Sequence, residues 1–157
     1  MNSLMQQQGQ LLTMTLALRD QLLDLVSDED LGFSVSGNPT LGALCKELGE
    51  YEHMYAESFT TCAFDGSYRH PDAALASSVS ALKTWFAELD GSLRAALEAI
   101  PEADLYGKMV QRPGFELPLA AQYHVFRECL LIFYGKVMVY LRAMNKPLPE
   151  QWVQWIG

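Results

Sequence analysis

Apolar residues recur at intervals of three and four along residues 119–144, the longest such run in the chain. At about 100° per residue, this spacing places them on one face of a helix. The face consists of Leu119, Tyr123, Phe126, Leu130, Phe133, Val137, Tyr140 and Met144. Pro147 ends the pattern, because proline lacks the amide hydrogen that a helix needs. The pattern predicts an amphipathic helix whose apolar face must be covered by other segments.

Three earlier segments show the same helical spacing, at residues 3–26, 41–62 and 72–100. The first carries two neighbouring apolar stripes, which suit either a bundle or an added dimer contact. Thr40 precedes the second segment and is a plausible N-cap. Asp90-Gly91 lies inside the third, but the apolar pattern resumes in phase after it. We therefore predict one continuous helix over residues 72–100.

The connecting segments read as turns and irregular links. Residues 27–39 and 64–71 are rich in Asp, Gly, Ser and Pro, and residues 101–118 form the longest link. The acidic run at residues 28–30 lacks the spacing of a calcium loop, so we predict a solvated turn there. Four long helical patterns without a convincing strand predict an all-α fold, a four-helix bundle formed by residues 1–157 as a single domain.

Composition narrows the classes of function. The chain has 157 residues, of which 50% are hydrophobic and 19% charged, and this balance favours a folded domain. The net charge of −8 argues against binding to nucleic acid or to an anionic membrane surface. No apolar stretch is long enough to span a membrane, and the N-terminus lacks the pattern of a signal peptide. The three cysteines form no CxxC pair, so we expect a cytoplasmic protein with reduced thiols.

A few polar side chains fall on or beside the predicted inward faces. Glu47 lies next to the apolar stripe of the second helix, so we expect it to lean toward the interior, where it would need a partner or a proton. Cys129 and Phe133 lie one turn apart near the inward face of the last helix, and Lys136 lies at its edge. The candidate pocket, between the second and fourth helices, consists of Glu47, Tyr51, Cys129, Phe133 and Lys136.

Most of the chain resembles the DinB/YfiT-like four-helix bundles. Their second helix is similar to GNPTLGALCKELGEYEHMYAESF, their third to LKTWFAELDGSLRAALEAIPEADLYGKM, and their fourth to CLLIFYGKVMVYLRAMNKPLPEQW. The resemblance implies the same fold and a homodimer, because many of these bundles are dimers. It also implies a metal site, since three histidines in that family hold a divalent metal, usually zinc or nickel. Some members use the metal to activate a low-molecular-weight thiol for transfer or isomerisation.

The sequence departs from the family at all three of those histidines. The resemblance places the first histidine at Glu47 and the His-x3-His pair at Cys129 and Phe133. Phe133 cannot bind a metal, and a carboxylate with a thiolate is a poor two-ligand set of mixed hardness. We therefore expect the metal site not to be retained and no cofactor to be bound. Glu47, Cys129, His53 and His124 remain as weak candidate ligands for zinc or nickel.

The sequence allows two other uses of these side chains, a di-iron site and an ion pair between helices. Residues 50–53 form a Glu-x-x-His step, as in di-iron bundles, but the second such step is missing because Leu131 follows Glu128 by three. His53 and His124 are then surface residues. An ion pair of Glu47 with Lys136, or with Arg127, could replace the metal as a link between helices.

Cys129 could act as a nucleophile if a nearby cation lowered its pKa, but a cysteine in the middle of an apolar helix is usually buried and inert. The sequence thus favours a metal-free, small binding or interaction protein, with a homodimer and a small-molecule ligand as expected partners. The alternative is a divalent-metal-dependent thiol S-transferase or hydrolase-like enzyme with substituted ligands. We expect Trp85, Trp152 and Trp155 to be packing or dimer-contact residues, and exposed tryptophans would favour the dimer.

Overall fold

The computed structural model describes residues 1–157 and contains four long helices, which confirms the predicted all-α fold. They are α1 (Ser3–Leu25), α3 (Leu41–Thr61), α4 (Val79–Ala99) and α6 (Leu119–Ala143). Three short helices complete the helical set: α2 (Asp28–Leu31), α5 (Asp104–Gly107) and α7 (Glu150–Trp155). The long helices enclose one contiguous apolar core of 40 buried residues. None of the helices has the length and apolar character required to cross a membrane.

Asn2 stabilises the start of α1 and the end of α4 together. Its Oδ1 accepts a hydrogen bond from the Met5 amide at 3.0 Å, which caps α1. Its Nδ2 donates to the carbonyl oxygens of Leu97 and Ile100, at 2.8 and 2.9 Å, where α4 ends. The Leu97 carbonyl also accepts the Ile100 amide at 3.4 Å, so Asn2 adds to the existing cap at the end of α4.

Helix α3 begins at the predicted cap, because Thr40 Oγ1 accepts a hydrogen bond from the Ala43 amide. Helix α3 packs against α4, and a glycine at position 49 allows the two helices to approach closely. A Cβ atom at Gly49 would overlap the indole ring of Trp85, which is buried against α3. The absence of a side chain at Gly49 therefore sets how near the two helices pack.

The prediction of one helix over residues 72–100 is wrong at its start. Residues Ala73–Ser77 form a 3₁₀ turn, and α4 begins only at Val79. Ser78 separates the two, because its extended backbone and its hydroxyl cap the first turn of α4. The remainder of the prediction holds, since α4 passes through Asp90-Gly91 without a break.

The acidic run at residues 28–30 is largely solvent-exposed, as predicted, but it forms a single helical turn, α2, rather than an irregular turn. Ser27 and Asp30 form a reciprocal capping box for α2, which satisfies amides at the start of this single turn. Asp30 also accepts a hydrogen bond from Lys146 at 2.6 Å, and Asp28 accepts one from the amide of Val79. These carboxylates therefore connect the first link to α4 and to the end of α6.

The prediction that the chain has no strand is also wrong. Strands β1 (Met109–Arg112) and β2 (Phe115–Pro118) form an antiparallel hairpin in the link before α6. The turn is possible because Gly114 adopts φ +86°, a conformation that other residues rarely take. The hairpin leads directly into α6 at Leu119.

Tryptophan burial overturns one argument for a dimer. Trp152 in α7 is fully buried and donates its indole hydrogen to the Leu18 carbonyl at 3.0 Å. Trp85 is also buried, and Trp155 is half-buried. The tryptophans pack within the chain, so no exposed indole is left to mark a dimer surface.

Candidate functional site

A cleft of about 310 Å³ lies between α3 and α6. All five residues of the candidate pocket line it: Glu47, Tyr51, Cys129, Phe133 and Lys136. Leu48, Val125, Glu128 and Ile132 complete its walls. A second, smaller hollow of about 230 Å³ shares Glu47 and Lys136 with it, so the cleft continues toward the loop before α3.

Helical spacing explains why these residues meet. On α6 the inner row is Val125, Cys129 and Phe133, and the outer row is Glu128, Ile132 and Lys136. Residues four apart lie above one another on the same side of a helix, so each row runs along the cleft. Glu128 and Lys136 are eight residues apart, which separates their backbone positions by about 12 Å along the helix axis. The outer row thus carries opposite charges at its two ends and an apolar side chain between them.

The prediction that Glu47 leans toward the interior is wrong. Glu47 lies at the rim of the cleft and is exposed, because its flexible side chain turns the carboxylate to water. It forms no ion pair with Lys136 or Arg127, so the proposed charge link between the helices is absent from the structure. The carboxylates that α3 does bury are those of Glu50 and Glu52.

Cys129 is half-buried in the wall of the cleft. Burial raises the pKa of its thiol, while the positive charges of Lys136 and Arg112 oppose this and the charge of Glu47 adds to it. The thiol is therefore protonated at neutral pH. A protonated thiol is a weak nucleophile, so the environment of Cys129 does not activate it.

The histidines considered as metal ligands lie away from the cleft. The ring of His53 stacks on Tyr68 with 4.0 Å between ring centroids, and its Nε2 lies 3.5 Å from Glu57 Oε1. His124 is exposed beside Tyr123. Neither histidine joins the residues of the cleft.

The donor atoms of the cleft do not fit the metal that the family resemblance implies. Phe133 occupies one position with no donor atom, and Cys129 holds a protonated thiol. No three His, Cys, Asp or Glu side chains are grouped so that they could hold a metal ion. The residues of the cleft therefore do not fit a divalent metal.

A buried ionic cluster in the centre of the bundle was not predicted. Arg19 donates from Nη1 to Glu52 Oε2 and from Nη2 to Asp90 Oδ2, each at 2.7 Å. The sequence does contain a signal, because Arg19 falls in register with Leu12, Leu16 and Leu23 on the inward face of α1. A charged residue in such a stripe requires a buried partner.

Arg112 of β1 connects the hairpin to the helical bundle through a cation–π contact and a hydrogen bond. Its guanidinium lies 4.2 Å from the ring centroid of Phe64 and donates to Gln122 Oε1 at 2.7 Å. Gln122 in turn donates to Ser58 Oγ at 2.9 Å. This chain of contacts joins β1 to α6 and α3, the two helices that form the cleft.

No family model and no curated protein sequence matches the chain. Solved structures that are similar to it in fold include two DinB-like proteins. A DinB-like protein from Bacillus cereus ATCC 10987 superposes with a TM-score of 0.71 at 16% identity, covering 87% of this chain and 89% of that one. A DinB-like protein from Bacillus subtilis gives a TM-score of 0.68 at 17% identity, covering 90% of this chain and 97% of that one. The chain therefore has the fold of the DinB-like proteins, as the resemblance in its sequence predicts.

Proposed function

We propose that the protein binds a small amphipathic molecule in the cleft between α3 and α6, without a metal. The observation that carries this proposal is the combination of an apolar wall with charged groups that have no partner in the protein. Glu47, Glu128 and Lys136 line the cleft, and none of them forms an ion pair or a side-chain hydrogen bond. A ligand can therefore contact all three without breaking an existing interaction.

The lining defines the chemistry of the ligand. Tyr51 and Phe133 offer aromatic surface, and Leu48 with Val125 and Ile132 adds aliphatic surface, so the body of the ligand is apolar. Glu128 stands at the end of the cleft away from Lys136, where its carboxylate has no nearby cation in the lining. A positively charged group on the ligand is the partner that this end attracts. We infer an aromatic or aliphatic amine as the ligand class.

Matched probes test this inference. Phenylalkyl amines and phenylalkyl carboxylates of equal length share the apolar body and differ only in charge. We expect the amines to raise the melting temperature and to shift NMR signals of cleft residues, and the carboxylates to bind more weakly. Glu128→Gln should weaken amine binding, whereas Glu98→Gln, an exposed carboxylate on α4, should leave it unchanged. Equal binding of both probes, or an equal effect of the two variants, contradicts the assignment of charge.

The alternative function is a thiol S-transferase or hydrolase-like enzyme that uses a divalent metal. Its support in this chain is the thiol of Cys129 in the wall of the cleft. Elemental analysis of the purified protein separates the two functions. Stoichiometric zinc or nickel that Cys129→Ala removes would replace the metal-free proposal with the enzymatic one. Protein without metal, whose stability a chelator leaves unchanged, supports the binding function.

The homodimer and the cytoplasmic location stay predictions. With no tryptophan exposed, one argument for a dimer that the chain itself still offers is its exposed apolar side chains, among them Ile132 and Val139 on α6, which are 63% and 54% exposed. Light scattering coupled to size-exclusion chromatography measures the oligomeric state directly. A monomer at all concentrations would remove the dimer from the proposed function.

A further inference from the structure

Each of the four long helices places one polar side chain in the centre of the bundle. These are Arg19 from α1, Glu52 from α3, Asp90 from α4 and Tyr134 from α6. The side chains of Arg19 and Glu52 are 1% and 0% exposed, and that of Asp90 is 24% exposed. We call these four residues the central cluster. None of them lines the cleft described above.

The arginine leaves half of each carboxyl group without a partner. Its two terminal nitrogens hold Glu52 Oε2 and Asp90 Oδ2, so the two carboxyl groups lie side by side on one guanidinium. The other oxygens, Glu52 Oε1 and Asp90 Oδ1, are buried and have no hydrogen-bond donor in the protein. A buried acceptor without a donor is strongly unfavourable, and two such acceptors together are more so.

The balance of charge is a second, independent argument that the two carboxyl groups are not both ionised. If both carboxyl groups were ionised, two negative charges would face one positive charge in the largely buried centre of the bundle, where Arg19 and Glu52 are almost completely shielded from water. The surrounding groups add no compensating cation. On α1, Asp20 Oδ1 lies 3.8 Å from Arg19 Nη2 and is a further acidic group, not a cation. The nearby Cys45 thiol of α3 and Tyr134 phenol of α6 are neutral, because burial raises the pKa of each.

We propose that Glu52 and Asp90 form a proton-binding site that holds one shared proton at neutral pH. The proton lies between Glu52 Oε1 and Asp90 Oδ1, so it satisfies both orphaned oxygens at once. The pair then carries a single negative charge, which the guanidinium of Arg19 balances. The fold thereby requires a bound proton as a structural component.

The electrostatics of Glu52 agree with this geometry. Burial raises the pKa of Glu52 from 4.5 to about 8, against the lowering effect of Arg19, and both the charge of Asp90 and a hydrogen bond to it raise the pKa further. Since the pKa is higher in the folded than in the unfolded state, the folded protein retains the proton between about pH 4.5 and pH 8, whereas the unfolded chain releases it. Stability should therefore fall as the pH rises through this window and should not fall further from this group above it.

Glu52→Gln provides the first test. Glutamine can accept from Arg19 and donate to Asp90, so it mimics the protonated acid without titrating. Between pH 5 and pH 8 the folding equilibrium constant of the wild type should fall, relative to that of the variant, by up to about tenfold per pH unit, the effect of one proton. Urea unfolding at a series of pH values measures this ratio. Parallel pH profiles of the two proteins would overturn the proposal.

Infrared spectroscopy of the carboxylic acid band provides a test that does not depend on folding of the glutamine variant. The wild type at pH 7 should show the carbonyl band of one protonated carboxylic acid, and its absence would overturn the proposal. Glu50→Gln, which changes a buried carboxylate that is already paired with Lys46, should leave the band in place.

Asp90→Asn separates proton sharing from burial alone. The asparagine amide donates to Glu52 in place of the proton, so Glu52 should ionise and the band at pH 7 should disappear. If burial alone keeps Glu52 protonated, the band persists in Asp90→Asn, and sharing is refuted.

Discussion

Replacement of Gly49 by alanine should destabilise the protein, although alanine is the better helix former. Gly49 lies in the interior of α3, facing α4. An added Cβ would overlap three ring atoms of Trp85, and even the most distant of the three would lie only 2.9 Å away. The indole has little room to retreat, because it is 8% exposed and packs between His70 and Phe86, with centroid distances of 4.8 and 5.8 Å.

Two opposing effects determine the size of the change. Overpacking of a tight interior costs about 1–3 kcal/mol. The exchange of glycine for alanine within a helix returns about 0.8–1.0 kcal/mol of helix propensity. The overlap at Trp85 is severe, so we expect the first effect to be the larger and the free energy of unfolding to fall by up to about 2 kcal/mol.

Urea unfolding followed by circular dichroism measures this change, and near-ultraviolet dichroism reports whether the environment of Trp85 changes with it. Two matched controls lie in the same bundle. A Cβ at Gly91 in α4 or at Gly135 in α6 meets no atom within 4 Å, so alanine at either site should stabilise by up to about 1 kcal/mol. If Gly49→Ala stabilised the protein as these controls do, the proposed contact with Trp85 would be refuted.

Three further outcomes are expected. Gly42→Ala should destabilise more than Gly49→Ala, because its Cβ would overlap the backbone carbonyl of Ala76, which cannot rotate away; urea unfolding would refute this if the order were reversed. Thr40→Ala should lower the free energy of unfolding by about 0.5–2 kcal/mol by removing the cap of α3, and Thr40→Ser, which restores the hydroxyl, should recover most of the loss. Burial raises the pKa of Cys45 to about 12, so iodoacetamide at pH 8 should label Cys45 only on unfolding, and rapid labelling of the native protein, detected by peptide mass, would contradict the structure.

The long helices could be predicted because their apolar patterns repeat over many turns. Every residue of the predicted face of α6 is buried except Met144, which is half-buried. The hairpin escaped prediction because strands of four residues are too short to show an alternating pattern. Pro113-Gly114 was its signal, since such a pair punctuates turns.

The candidate site was likewise predicted only in part. Spacing within single helices predicts which residues share a face, and the five pocket residues do line one cleft. The predicted orientation of Glu47 was wrong, because a long side chain at the edge of an apolar stripe can point to the interior or to solvent depending on its rotamer. The central cluster was missed because it depends on the relative heights of Arg19, Glu52 and Asp90 on three helices. Those heights follow from tertiary packing, which no pattern within one helix reveals.

The side chain of Asn2 has a consequence for how the bundle opens. Its hydrogen bond to Leu97 joins positions 95 residues apart in sequence, so the first turn of α1 and the last turn of α4 share one set of contacts. Helix ends commonly fray independently of each other. Here we expect the two ends to open together, so amide hydrogens in both turns should exchange with similar free energies. The hydrogen bonds of Asn2 thus couple the opening of two helix ends that are distant in sequence.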